Sequence, residues 1–370
     1  MNQIKAFAFL LSLALLEGCA SGKGAYKHGQ YYEAVIEAVQ NLRRSPENKK
    51  STEVLSLSYQ AAIDLLNTDI KNQINSNAYL KWKNVIQNYQ RINVLYENIR
   101  TCPAALKIIP RPVDTYKDLK VAKDSATVEC YNAGIQQMLK GNREDAKQAF
   151  FLFTDANNYS PGYRESIEMM QQAKANATIK VIIKPHTQNN YNWNFDPIIF
   201  KSYNNQFVAF YTEQQARDQN IQKVDQYLSL QVNGYQESRP SVSKSAQDYQ
   251  ENIQTGTTKD ATGKETPVMQ VVKAQATVFD KQLLATGSLQ LIIEDASNSA
   301  QLSNSTLQSD QNWSSRWAIC SGDTRALPNG IKGLCGKPEL YPANNLLINQ
   351  TKRDLDTKLA NAIGNFYQGY

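Results

Sequence analysis

The sequence contains very little histidine, with two residues, His28 and His186, among 370. Because histidine is a common metal ligand and the usual acid–base group near neutral pH, its scarcity argues against a metal site and against His-dependent catalysis. The cysteines show no Cys-x-x-Cys spacing, and neither a Gly-x-Ser-x-Gly elbow nor a phosphate-binding glycine loop is present. We therefore expect a protein that is not an enzyme, with no catalytic residues, no metal and no cofactor.

A strong charge bias is also missing. The formal net charge is +6 at pH 7, which is mild for this length and does not favour a nucleic-acid partner. Most of the excess positive charge lies in the N-terminal half. A solvated surface explains it, and the alternative is binding to anionic headgroups or to peptidoglycan. Hydrophobic residues make up 41% of the chain, which allows the cores of two domains but is too little for a multi-span membrane protein.

No apolar run is long enough to cross a bilayer. The longest run extends from Ala6 to Leu16, follows Lys5, and is interrupted only by Ser12. A spanning helix needs about 20 apolar residues, so this pattern is typical of a secretory signal peptide.

That run ends in Leu16-Glu17-Gly18-Cys19, which resembles the lipobox of bacterial lipoproteins, although Glu17 departs from the usual small or uncharged residue. The resemblance implies that residues 1–18 are removed, that Cys19 is lipidated, and that residues 19–24 form a tether. The alternative is an ordinary signal peptide with a chance cysteine. Ala20 and Ser21 follow without an aspartate or an acidic cluster, so we expect an outer-membrane anchor in a Gram-negative cell, with the body in the periplasm.

Four further cysteines allow three disulfide pairings in an oxidising compartment. Proximity in sequence favours Cys320 with Cys335 and Cys102 with Cys130. For Cys130 the alternative is a buried free thiol on an apolar helix face.

Residues 25–177 carry helical periodicity and two similar turn patterns. In the first, Gly29 forms the turn between helices, Ala34 and Ala38 allow close helix contact, and Pro46 ends the second helix. The second contains Gly134, Gly141, Ala146 and Phe150. Both patterns resemble tetratricopeptide repeats (TPR), so the resemblance implies a TPR-like helical domain. The second departs from the family pattern at Phe153, where the family prefers a small residue, and at Asn158, where it has proline.

Between these patterns, two apolar stripes predict longer helices. They comprise Leu55, Tyr59, Ala62 and Leu66, and then Trp82, Val85, Tyr89, Ile92, Tyr96 and Ile99. We interpret both as core, with a coiled-coil contact to a partner as the alternative. A turn is predicted at residues 75–77 and a proline-rich connector at 101–114. Asp114 or Thr115 is expected to cap the next helix. A last helix is expected to start with Ser160 as its cap and Pro161 at its first position, and to run to about Ala175.

The pattern of residues 178–370 predicts a β-rich domain that ends in a helix. Strands are predicted at 178–184, from Leu228 to a turn at Asn233-Gly234, at 272–278 and at 285–293, with a bend at 280–282. We expect 239–267 to be an exposed excursion and a helix over 345–366. The predicted fold class is therefore α+β, with an antiparallel meander following the helical domain.

The most unusual segment of this half is the loop between Cys320 and Cys335. Asp323 and Arg325 could form a recognition tip there, with Trp313 and Trp317 close in sequence. The alternative is a loop held by the disulfide, in which Asp323 caps its own backbone and the tryptophans belong to the core.

The whole pattern resembles Gram-negative outer-membrane lipoproteins with an N-terminal TPR-like domain. This resemblance implies a non-enzymatic scaffold or adaptor, with protein partners in an envelope complex and a membrane anchor at Cys19. The alternative function is a glycan-binding or small-ligand-binding lipoprotein, whose β-rich domain would line a pocket with Trp193, Trp313 or Trp317.

Overall fold

The computed structural model of the chain describes residues 22–185, 191, 193–202, 205–259, 261 and 263–370. The protein is a mixed α/β chain in two compact units that divide between Ala177 and Thr178. The predicted signal peptide, Cys19 and His186 lie outside the described residues. Within the described ranges, none of the helices combines the length and apolar character needed to span a membrane.

The N-terminal unit is helical. Its helices are α1 (Lys23–Lys27), α2 (Tyr31–Arg44), α3 (Lys49–Asn75), α4 (Trp82–Arg100), α5 (Pro103–Ile108), α6 (Tyr116–Leu139), α7 (Arg143–Tyr159) and α8 (Ser166–Ala177). Gly29 and Gly141 lie in the turns before α2 and α7 with φ of 72° and 75°, a backbone region that glycine adopts without strain. The side chains of Asn48 and Asn142 cap α3 and α7 by accepting backbone N–H bonds.

The two apolar stripes are core, as predicted, except that Tyr96 is half-buried and contacts the ring of Tyr116. Leu55 and Leu66 on α3 pack in one buried cluster with Ile92 and Ile99 on α4 and with Ala34 on α2. The turn predicted at 75–77 is confirmed, because α3 ends at Asn75. The connector that follows α4 contains the short helix α5, which the proline-rich sequence did not predict.

The connector is tied to the core by two long-range hydrogen bonds. Val113 N donates to Tyr59 Oη and Thr115 N donates to Asn93 Oδ1, both at 2.7 Å. Thr115 precedes α6 but its side chain does not cap it. Its hydroxyl donates to Tyr89 O at 3.1 Å instead.

A second buried cluster joins α6, α7 and α8. Phe153 is fully buried there, and its ring would lie 2.8 Å from a Cβ placed on Gly134. The missing side chain at Gly134 therefore makes room for Phe153, which explains why a large residue stands where the repeat pattern has a small one.

The helix predicted to start at Ser160 is wrong in its boundary. Residues 160–165 form turns in which Gly162 and Arg164 have positive φ, and α8 begins at Ser166. Pro161 lies in this turn region instead of opening a helix.

The C-terminal unit contains one six-stranded sheet. Its elements are β1 (Ile179–Ile183), α9 (Asp196–Ser202), β2 (Val208–Thr212), α10 (Glu213–Asp218), β3 (Gln226–Glu237), β4 (Ser241–Lys259), β5 (Glu265–Asp295), β6 (Gln301–Gly322), a 3₁₀ turn (Thr324–Ala326), α11 (Asn329–Lys332) and α12 (Leu346–Tyr367). The strand order is β2-β1-β3-β5-β4, and β6 pairs with the other side of β5. β1 is parallel to β2 and β3, and the remaining pairs are antiparallel.

Three predicted turns or loops are strand in the structure. Asn233-Gly234 lies at a register shift within β3. Residues 239–267 contain all of β4, whose side chains are exposed except for the half-buried Tyr249 and Ile253, so that no apolar alternation marks this strand. Residues 280–282 continue β5 without interruption. The predicted strand at 178–184 and the terminal helix are confirmed as β1 and α12.

The expected bend at 280–282 was wrong because β5 buries opposite faces along its length. Before the bend position, the buried residues Val272, Ala274 and Ala276 pack under Ala326 and Leu327. After it, residues of opposite parity are buried, including Leu289 and Ile293 under α12. The change of phase in the apolar pattern therefore reflects a change in the covering element and not a turn.

We expect Gly134→Ala to destabilise the protein by about 1–3 kcal/mol, because the added methyl group overlaps the ring of Phe153. Urea denaturation followed by circular dichroism measures this. Gly364→Ala is the control. That glycine lies within α12 with no neighbouring atom within 4 Å of an added Cβ, so the substitution should stabilise by roughly 0.5–1 kcal/mol. Equal stability of the two variants would contradict the packing described for Gly134.

Candidate functional site

The predicted loop is closed by the Cys320–Cys335 disulfide, whose Cα atoms lie 5.6 Å apart. At its start, Asp323 accepts a hydrogen bond from Arg325 N at 3.0 Å and caps the 3₁₀ turn. The guanidinium of Arg325 also lies 2.6 Å from Asp323 Oδ2, and it lowers the pKa of Asp323 to about 2. Asp323 and Arg325 thus satisfy each other at an exposed position, as the capping interpretation predicted.

The body of the loop covers the sheet. Ala326 and Leu327 are buried against Val272, Ala274 and Ala276 of β5. The loop therefore supplies the second layer of a small core, and its main role in the fold is packing.

After the loop, the chain crosses the free edge of β6. Ala318 N donates to Leu334 O at 3.0 Å, and Gly336 N donates to Ala318 O at 3.3 Å. These two bonds add a short parallel bridge between Ala318 and Cys335. We call residues 334–342 the edge strap, because they lead from one face of the sheet to the other.

On the second face, Lys281 holds the edge strap. Its side chain is 3% exposed, its Nζ lies 2.7 Å from Glu339 Oε1, and it stands 3.2 Å from the centre of the Tyr341 ring. Burial lowers the pKa of Lys281, but the Glu339 carboxylate and the Tyr341 hydroxyl raise it by more, so the pKa lies above its ordinary value. Lys281 in turn lowers the pKa of Glu339.

The tryptophans belong to cores and do not join Asp323 and Arg325. Trp317 stacks on Phe279 with ring centres 5.2 Å apart, on the sheet face opposite the loop. Trp313 is half-buried beside Leu283 and Leu347, and Trp193 is buried in the cluster under α12. Burial of Trp193 and Trp317 removes two of the three side chains on which the glycan-binding alternative depended.

The predicted Cys102–Cys130 disulfide is wrong. Both cysteines are free and buried, and they belong to different apolar clusters. Burial raises the pKa of the Cys130 thiol to about 12, which keeps it protonated and unreactive at neutral pH.

The repeat-like residues do not converge on one site. Ala34 and Ala38 are buried in the first helical cluster and Ala146 is buried on α7, whereas Pro46 is exposed after α2. Phe150 is half-buried and contacts the ring of Phe151. These positions shape helix packing and present no shared chemical group.

A polar pocket that the sequence interpretation missed lies at the register shift of β3. Its volume is about 330 Å³, and it is lined by Asn233, Gly234, Tyr235, Gln236, Thr286, Gly287, Ser288 and Gln308. The Asn233-Gly234 pair marks this place in the sequence, although its pattern predicts a turn. The lining offers amide and hydroxyl groups but no carboxylate, and the described residues contain no His/Cys/Asp/Glu cluster able to hold a metal.

The helical unit exposes a row of apolar side chains that sequence reasoning also missed. Val121, Val128 and Leu139 on α6 are 62%, 41% and 73% exposed. They are spaced by 7 and 11 residues, so they lie on one side of a helix with 3.6 residues per turn. We call these three residues the α6 row. The buried residues of α6, such as Ala122 and Ala126, lie on another face.

Comparison with known proteins finds no matching family model and no matching curated protein.

We expect Glu339→Gln to lower the free energy of unfolding at neutral pH, because it leaves the Lys281 ammonium buried without its carboxylate partner. The pKa of Glu339 is depressed in the folded state, so the stability that it contributes is present above its unfolded pKa of about 4.3 and is lost as pH falls through the folded pKa. At the alkaline end, the contribution of Lys281 is complete below its unfolded pKa of about 10.4 and is lost as pH rises through the raised folded pKa.

Urea denaturation of both proteins between pH 3 and pH 8 measures the difference, which should shrink toward the acid end. Glu265→Gln is the control, because Glu265 is exposed and lies 3.9 Å from the exposed Lys259. A pH-independent difference for Glu339→Gln would contradict the role given to the ion pair.

Proposed function

We propose that the chain is a lipid-anchored, non-enzymatic scaffold or adaptor of a Gram-negative envelope assembly, facing the periplasm from the outer membrane. The α6 row is the observation that carries this proposal for the body of the protein. The residues around Cys19 carry it for the anchor, by their resemblance to a lipobox.

The α6 row has the dimensions of a protein-binding surface. Val121 and Leu139 are 18 residues apart, which is five helical turns and about 27 Å along the helix axis. Exposed polar residues of α6 such as Lys117, Asp124 and Asn132 lie near the row. An apolar row with polar neighbours fits an amphipathic helix of a partner, which places its own apolar residues at three- and four-residue intervals.

We infer that the pairs α1–α2 and α6–α7 are TPR-like hairpins. Support comes from the positive φ of Gly29 and Gly141 and from the burial of Ala34 and Ala146 on the helices that follow. Stacked helix pairs of this kind commonly present extended surfaces to peptides or helices of other proteins.

We expect the double variant Val121→Lys/Val128→Lys to lose its envelope partner. Two ammonium groups in the α6 row would have to be desolvated on binding, which costs more than the exposed apolar contacts gain. Crosslinking in cells followed by pull-down from membranes should recover one stoichiometric complex with the unchanged protein and little or none with the variant.

The matched control is Leu57→Lys/Leu65→Lys. These leucines on α3 are about half exposed, so the control adds the same charges at another exposed apolar position. Thermal unfolding should confirm that both variants fold. Loss of the complex in both variants, or in neither, would contradict the assignment of the α6 row.

We expect Cys19→Ala to abolish lipid attachment, because thioether formation needs the cysteine sulfur. Metabolic labelling with a radioactive fatty acid should mark the unchanged protein and leave the variant unlabelled, and the variant should leave the membrane fraction. Two or three acyl chains, at about 0.8 kcal/mol per buried CH₂, would make the natural attachment stable. A Cys19→Ala variant that stays labelled and membrane-bound would contradict lipid attachment at Cys19. Ser21→Ala is the control, because it leaves Cys19 in place.

A further inference from the structure

The edge of β4 is long, regular and unpaired. In the part of the chain that the structure describes, β4 pairs with β5 alone, and the register is unbroken from Ser241 to Gln254. All residues over this range are exposed except Tyr249 and Ile253, which are half-buried. An exposed edge of this length presents a row of free backbone N–H and C=O groups that can pair with another strand.

The other edges of the sheet are shorter, or their free run is interrupted by bonds to another segment. β2 has five residues and leads directly into α10. On β6, both backbone groups of Ala318 are bonded to the edge strap, and Gln308 O accepts a hydrogen bond from Lys358 of α12 at 2.6 Å. The edge of β4 is therefore the part of this sheet best placed to receive a further strand.

The charges along β4 favour a second copy of the same chain. Two antiparallel copies of one strand are related by a two-fold axis perpendicular to the sheet, which passes midway between the two facing copies of one residue. If that residue is Ala246, Lys244 faces Asp248 of the second copy, and Asp248 faces its Lys244. Opposite charges at directly opposed positions stabilise a strand pair.

Neighbouring symmetric registers lack this match. With the axis at Gln247, Lys244 faces Gln250, and with the axis at Asp248 two carboxylates face each other. The Ala246 register also keeps its central pairs away from the register shift between Gln254 and Gly256. Gln275 Nε2 donates a hydrogen bond to Asp248 Oδ1 at 2.9 Å. The other carboxylate oxygen of Asp248 takes no part in that bond.

We propose that the protein forms a two-fold homodimer by antiparallel pairing of β4 with β4 of a second copy, centred on Ala246. The two sheets then become one continuous sheet, in which Lys244 and Asp248 form two symmetric ion pairs. This interface is separate from the α6 row and does not rest on the proposed scaffold function.

Charge exchange tests the register in the full chain. Lys244→Asp and Asp248→Lys each place like charges opposite each other twice, so each should raise the dimer dissociation constant roughly tenfold or more. The double variant Lys244→Asp/Asp248→Lys restores both ion pairs and should return the constant to near its original value. Sedimentation velocity at low ionic strength measures all four proteins, and Lys259→Asp, beyond the register shift, should leave the constant unchanged.

A cysteine at position 246, beside the two-fold axis, tests the register by disulfide crosslinking. Facing Cα atoms in an antiparallel pair are about 4.5–5.5 Å apart, which is within the range that a disulfide spans. Ala246→Cys should therefore give a covalent dimer under mild oxidation. Gln250→Cys should not, because the two copies of residue 250 would be about 27 Å apart along the strands.

The outcomes separate the possibilities. Dimerisation with rescue by charge exchange and with selective crosslinking at position 246 supports the proposal. An unchanged protein that stays monomeric at all concentrations, single variants that dimerise normally, or equal crosslinking at positions 246 and 250 would overturn it. Thermal unfolding of each variant distinguishes loss of the dimer from loss of the fold.

Discussion

The antiparallel part of the C-terminal sheet depends on the pairing of the continuous strand β5. This strand pairs with β3 and β4 in succession on one side and with β6 on the other, so it holds the antiparallel part of the sheet together. Because side chains alternate along a strand, one uninterrupted β5 can bury Val272 and Ala274 on one face and Leu289 and Ile293 on the opposite face. The loop after β6 and α12 must therefore reach opposite faces of the same strand.

The disulfide lies at the point where the chain passes from one face of the sheet to the other. The loop after β6 covers one face, α12 covers the other, and the edge strap joins them around β6 beside Cys335. The Cys320–Cys335 disulfide holds the chain where it passes the edge of β6. On the second face, Lys281 holds the edge strap by its contacts with Glu339 and Tyr341. The segment that resembled a recognition loop in the sequence is therefore explained by the path of the chain.

Sequence reasoning succeeded where one face of an element is buried along its whole length. The stripes on α3 and α4 and the apolar face of α12 follow a single helical period, so their residues could be assigned to the core. It failed where burial changes along an element. It also failed for β4, in which only Tyr249 and Ile253 are half-buried, so that its sequence predicts a loop. The apolar pattern of β5 changes phase near residue 280, so its sequence predicts two strands. Gly134 shows a related limit, because its partner Phe153 is distant in sequence and only the packed helices bring the two together.

The surfaces proposed for interaction are those that the cores do not need. Val121 and Val128 are apolar yet exposed, although Ala122 and Ala126 already supply the buried face of α6. Likewise, β4 is stabilised by β5 and by packing of Tyr249 and Ile253, while its outer edge remains unpaired in the described chain. Exposed apolar rows and long unpaired edges carry a risk of aggregation, and natural proteins usually protect them. Their presence in both units is best explained if each is covered in the assembled state, the α6 row by a partner and the β4 edge by a second copy of the chain.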